Sequence, residues 1–164
     1  MKKITILLTR YSDPTSVFVY FLTGRGYTHS SIALGENMTE YYSFNYTGFT
    51  VETIEKHRKR GVERSLSYSI SVPDDVYDKI EKAIAVFKAN KEDYHYTKLG
   101  VICCVLHMPL RRRNRYFCSQ FVAELLENSG AVTLFKKPHL FTPNNFTRLF
   151  DKHPACVNVA LNVV

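Results

Sequence analysis

The amino-acid sequence predicts an α+β fold, an antiparallel sheet packed against helices. Three observations carry that expectation. Short strand-like runs fill most of the chain up to Val72, helical periodicity is clearest in two later stretches that begin at Asp74 and Cys118, and 164 residues with 45% hydrophobic content suffice for one buried core. Residues 1–164 therefore read as a single domain, with no internal repeat or low-complexity linker.

Residues 3–8 form a short β-branched apolar run, which predicts a buried strand. Asp13 followed by Pro14 is a helix start, and Val17, Phe18, Phe21 and Leu22 supply an apolar face until Gly24. After a turn at Gly24-Arg25-Gly26, residues 29–34 and 39–45 read as a hairpin about Gly35-Glu36-Asn37, and residues 49–54 as a third strand. A basic turn around Gly61 leads to residues 62–72, where Leu66, Tyr68, Ile70 and Val72 alternate onto one face. Pro73 ends that strand. Asp74-Asp75 then opens a helix in which Val76, Ile80, Ala83, Ile84 and Phe87 share one side. Residues 99–106 read as a further apolar helix stopped by Pro109. Residues 138–143 read as extended, 144–150 as a helical turn and 155–164 as a final strand.

Charge and leader-like features narrow the function classes. The formal charge of +7 comes from 22 Lys and Arg against 15 Asp and Glu, and it concentrates in Lys56-His57-Arg58-Lys59-Arg60 and Arg111-Arg112-Arg113-Asn114-Arg115. Such runs are solvated loops or steer an anionic partner. No zinc-finger, helix-turn-helix or RNA-recognition signature accompanies them, so no nucleic-acid partner is expected. Residues 1–10 have a basic start but only about five apolar residues before Arg10, short of a signal peptide. No stretch approaches the roughly 20 apolar residues of a membrane span. These features predict a cytoplasmic protein with four unpaired cysteines. Cys103, Cys104 and His107 have ligand-like spacing without a fourth ligand, and the seven glycines form no phosphate-binding loop, so no metal or cofactor is expected.

The chemistry centres on Cys118. Phe121, Val122 and Leu125 follow it at helical spacing, and Asn128-Ser129-Gly130 ends the run, which places the thiol in the first turn of a helix. There it meets unpaired backbone N–H groups and the positive end of the helix dipole, with Arg111, Arg112, Arg113 and Arg115 upstream, all of which favour thiolate. By itself the same cysteine reads equally well as a small, inert core residue. His29 by itself reads as a structural histidine at the start of a strand. Of the remaining histidines, His57 lies in a basic run, His107 beside a proline, and His139 and His153 in proline-containing loops, leaving His95 as the rival.

Tyr27-Thr28-His29-Ser30-Ser31-Ile32-Ala33-Leu34, followed later by Tyr116-Phe117-Cys118-Ser119-Gln120-Phe121-Val122, resembles the circularly permuted papain-like hydrolases, relatives of the NlpC-type cell-wall amidases. The resemblance runs from the first strand to about Phe150. It implies a permuted papain-like fold, a Cys118 nucleophile, a His29 base and hydrolysis of an amide bond through a thioester, with small peptides or murein-derived peptides as substrates. The family's third catalytic member is a polar residue on the strand after the His strand. A hairpin pivoting at Glu36 sets His29 opposite Ser43 and beside Tyr41, the favoured pair; a shift of half a residue presents Glu40 and Tyr42 instead. The backbone N–H of Cys118 is the expected first oxyanion donor, and the sequence names no second. The same permuted fold also hosts lecithin:retinol acyltransferase-like enzymes, so lipid acyl chemistry is the alternative. A membrane anchor or an exposed apolar helix would distinguish it, and none is evident in the sequence. A binding domain that keeps the fold without catalysis is the third reading.

Overall fold

Side-chain alternation in the first strand sets the architecture. The computed structural model describes residues 1–11 and 26–164; the helix expected after Asp13 and most of the turn that follows it lie outside these. In β1 (Lys2–Tyr11) the residues Ile4, Ile6 and Leu8 point to one face and Thr5, Leu7, Thr9 and Tyr11 to the other, because successive Cβ atoms leave a strand on opposite sides. The other strands are β2 (His29–Leu34), β3 (Tyr41–Asn45), β4 (Gly48–Glu52), β5 (Val62–Val72), β6 (His95–Tyr96), β7 (Arg115–Tyr116) and β8 (Cys156–Leu161). Six of them form one sheet in the order β4-β3-β2-β1-β5-β8, every neighbouring pair antiparallel. The short pair β6 and β7 is parallel.

One sheet face is an apolar core. Ile4, Ile6, Leu8, Ile32, Phe44, Tyr68 and Ile70 pack there against α2 (Asp74–Ala89) and α4 (Cys118–Ser129), whose Ile80, Ile84, Phe121, Val122 and Leu125 face inward. Phe121 anchors this layer, with its ring centroid 5.0 Å from Phe87 and 5.2 Å from Phe44. Such aromatic pairs add about 0.5–1.5 kcal/mol each beyond the area they bury. Gly130 ends α4 in the left-handed region at φ 82°, and the Ala131 N–H donates to the Leu126 carbonyl at 3.0 Å.

The opposite face is also covered, but by hydroxyls. Thr5, Thr9, Ser31, Ser43, Ser65 and Ser67 are buried on it, beside a small cluster of Leu7, Ala33 and Tyr41 under Ile54, Val163 and Val164. Ile54 belongs to α1 (Ile54–Lys59), where the sequence predicts strand and then basic turn. Thr53 caps this helix by accepting the Lys56 N–H at 3.2 Å. Helical spacing then turns Ile54 and His57 inward and leaves Lys56, Arg58 and Lys59 exposed.

The remaining departures are local. α3 (Lys98–Val105) and α5 (Pro143–Phe150) match the expected helices, but Pro138–Leu140 is a 3-10 turn instead of extended chain, and β8 stops at Leu161. The observed pairs Ile32 with Tyr42 and Ala33 with Tyr41 centre the first hairpin on Asn37, one residue later than expected. That offset keeps Ser43 and Tyr41 on the face of His29 while sliding them along the strand.

Candidate active site

His29, the first residue of β2, is where the two layers meet. Its ring Nε2 lies 2.8 Å from Oε2 of Glu52, the last residue of β4. The ring also interacts with the thiol of Cys118 at the start of α4, and the contact shifts the pKa of both groups. All three side chains are buried. The polar face of the sheet thus supplies the carboxylate, the helix on the apolar face supplies the thiol, and the imidazole joins them.

Residues expected to hold the imidazole do other work. Ser43 Oγ donates to the Ser30 carbonyl at 2.6 Å, Tyr41 presents an edge to the His57 ring, and Glu40 is exposed, accepting from the Tyr42 hydroxyl at 2.8 Å. None of the four reaches His29; Glu52 does. The β2–β3 ladder ends at Ile32–Tyr42, so His29 has no direct cross-strand neighbour in β3. Glu52 pairs with Tyr41 on the next strand out, faces the same way, and has the length to span the gap. Sequence reading missed it because it sits two strands away, in a run that reads as an ordinary strand end. The available signal was the position of a lone acid beside Thr53, a helix cap.

Electrostatics favour a charged pair. Burial pushes the His29 pKa down, but the Glu52 charge and the hydrogen bonds to Cys118 and Glu52 outweigh it and leave the ring well above its ordinary value. Burial pushes the Cys118 thiol up; the hydrogen bond and charge of His29 and the backbone N–H groups of Ser30 and Ser119 reverse this and lower it. Glu52 is likewise lowered, with His29 opposing the cost of its burial. Both shifts run toward the thiolate–imidazolium pair and away from thiol and neutral imidazole.

The helix end contributes through its backbone, and the arginines expected to help lie at or near the surface, Arg115 half-buried. α1 and α3 are capped by threonine side chains and α5 by a Thr142–Asn145 capping box, whereas Phe117 stands at the cap of α4 and leaves its first N–H groups for the sulfur. Arg111, Arg112 and Arg113 point outward, and Arg111 approaches Glu124 at 3.6 Å. Of the expected rival and outlying histidines, His95 and His107 are exposed, but His57 is buried with Nε2 3.6 Å from Glu52 Oε2.

A small, mainly apolar cleft opens beside Cys118, lined by Thr28, Tyr96, Val101, Val105, Phe117 and Pro143 among others. Tyr96 is held there because β6 pairs with β7, two residues before Cys118, and the charge on Cys118 adds to burial in raising the phenol's pKa. The phenol thus keeps its proton and remains a donor. The outer side of α3, whose inner side lines the cleft, exposes Leu99 (50%), Ile102 (42%) and, just past its end, Leu106 (62%) and Met108 (54%). This is the exposed apolar helix that the sequence alone did not reveal. Cys103 and Cys104 face inward on the same helix as free thiols. Among the described residues no group of three His, Cys, Asp or Glu side chains is arranged to hold a metal ion, and no helix is long and apolar enough to cross a membrane.

No family model and no curated protein matches the chain in sequence. A solved structure, that of metalloprotein yiiX from Escherichia coli O157:H7 (DUF1105), is similar in fold, with a TM-score of 0.54 over 97% of this chain and 87% of that one, at 12% identity.

Proposed function

We propose that the protein is a cysteine hydrolase that cleaves an amide bond in small or murein-derived peptides through a Cys118 thioester. The observation that supports this best is the continuous Cys118–His29–Glu52 contact, with a lowered thiol and a raised imidazole. The thiolate attacks the substrate carbonyl and the C=O electron pair moves onto oxygen. The backbone N–H of Cys118 and the Tyr96 hydroxyl are the two donors for that oxyanion, which gives the second donor a candidate. The His29 imidazolium then gives its proton to the departing amine, leaving an acyl thioester and neutral imidazole. Water, deprotonated by His29, adds to the thioester carbon, the C–S bond breaks, and the carboxylic acid departs, leaving the Cys118 thiolate and the His29 imidazolium ready for the next cycle. Glu52 keeps the imidazole in one orientation and stabilises its charge.

The test is a panel of amide, thioester and lipid acyl substrates with the wild-type protein and Cys118→Ala. Amide turnover with a mass increment on Cys118 trapped at acid pH is the expected result. A protein that turns over none of the panel and labels Cys118 no faster than its other cysteines is a binding domain.

Lipid acyl substrates are the second reading, and one observation favours it. Leu99, Ile102, Leu106 and Met108 form an exposed apolar patch on the outer side of α3 and just past its end, the helix whose inner side lines the cleft, and Arg111, Arg112 and Arg113 follow two residues later in the chain. Sedimentation with anionic vesicles, abolished by Leu99→Ser and Leu106→Ser, supports this reading; turnover of soluble peptides without vesicle binding supports the first.

A further inference from the structure

The contact chain does not stop at Glu52. On its far side lies His57, 1% exposed, whose Nε2 is 3.6 Å from the same carboxylate oxygen that holds His29. At that distance it is not a hydrogen bond, and Nε2 is a buried polar atom without a hydrogen-bond partner among the described residues. The other ring nitrogen, Nδ1, is bonded to the Tyr11 hydroxyl. Two arrangements of protons are open to this ring. If Nδ1 carries the proton, the lone pair of Nε2 faces a buried carboxylate, which is repulsive. If Tyr11 donates to Nδ1, the proton sits on Nε2 and its N–H faces the carboxylate, which is attractive. Burial raises the Tyr11 pKa, so the phenol has its proton to give. The second arrangement is the stable one.

We infer that His57 is a positioning residue: as a neutral ring fixed in the Nε2–H form by Tyr11, it holds the Glu52 carboxylate against His29. This rests on the proposed Cys118–His29 chemistry and extends it inward by two residues. Among the described residues, the groups facing His57 come from five elements: Tyr11 of β1, His29 of β2, Tyr41 of β3, Glu52 of β4 and Arg60 at the end of α1. Arg60 Nη1 approaches the other Glu52 oxygen at 3.9 Å, and its guanidinium lies 4.1 Å over the Tyr11 ring. Burial, outweighing the Glu52 charge, pushes the His57 pKa down to about 4, so the ring is neutral across the working range and does not compete with His29 for the carboxylate as a cation.

The test reads the pH profile of Cys118 alkylation by iodoacetamide in the full chain. Removing the His57 N–H loosens Glu52, which lowers the support for the imidazolium and raises the thiol pKa, so the acid limb of the profile moves to higher pH. His57→Leu should move it by about one unit, a tenfold slower rate on that limb. His57→Gln, which restores an N–H donor, should return most of the shift, and Tyr11→Phe, which frees the tautomer, should show a part of it. Thermal melts confirm that each variant is folded; if His57→Leu does not fold, the Gln and Phe variants decide. An unshifted limb in folded His57→Leu and Tyr11→Phe overturns the inference, as does a His57→Gln limb displaced as far as that of His57→Leu. A wild-type Cys118 that titrates as an ordinary thiol is a different outcome, which removes the proposed hydrolase itself.

Discussion

The two faces of the sheet are both buried and yet are built from different chemistry. On the helix-covered face Ile4, Ile6, Leu8, Ile32, Phe44 and Ile70 meet Phe121 and Val122, and stability there scales with the apolar area removed from water. On the other, hydroxyls of Thr5, Thr9, Ser31 and Ser43 surround a short row of titratable groups, Tyr11, His57, Glu52 and His29. The first face is held by apolar packing, with Tyr68 sending its hydroxyl out to Asp151 at 2.6 Å. The second keeps charge in a dry setting, where a carboxylate can hold an imidazole that would drift in water. Folding energy and reactivity are thus separated by one layer of backbone, and His29 is the residue that reaches both.

Substitutions should break the two faces in different ways. The largest effect is expected on reactivity: His29→Ala should lower turnover of whichever substrate is accepted by roughly 10²–10⁴-fold, measured as kcat, and it should also lower the urea midpoint, because the buried Glu52 carboxylate loses its partner. The converse is expected for Phe121→Ala, which leaves a cavity in the apolar layer and should cost about 3–5 kcal/mol in urea unfolding. Ser67→Ala, on the hydroxyl face with only a 3.5 Å contact to the Ala160 carbonyl, should cost no more than about 1 kcal/mol in the same measurement. Equal losses from both would show that the faces are not distinct.

Thiol reactivity sharpens the contrast further. Cys104 lines the same cleft as Cys118, but burial pushes its pKa up to about 12, whereas Cys118 is lowered by its partners. Peptide mass mapping after brief alkylation at pH 6 should find Cys118 modified and Cys104 intact. The Cys118 rate should fall as pH drops through its lowered pKa, because the thiolate is then protonated. A similarly small effect concerns the lid over the polar face: Thr53→Ala removes the cap of α1 and should cost about 1 kcal/mol in thermal or urea unfolding.

Much of the fold is legible in local spacing. Alternation in β1 and β5, the periodic apolar side of α2 and the Cys118 start of α4 follow from local spacing, because strands and helices sort side chains by fixed periods. The meeting of His29 with Cys118 came from matching two motifs, and both sit at element ends where a side chain has room to reach. What surrounds them was decided in three dimensions. Glu52 replaces Ser43 and Tyr41 at the imidazole because the β2–β3 ladder stops short of His29 and opens a gap that a longer side chain on β4 fills. His57 hides in a basic run whose charges face water, while the three-residue spacing from Ile54 turns it inward, a distinction that needs a helix where the sequence reads a turn. Local periodicity records which way a residue points; only packing fixes what it points at.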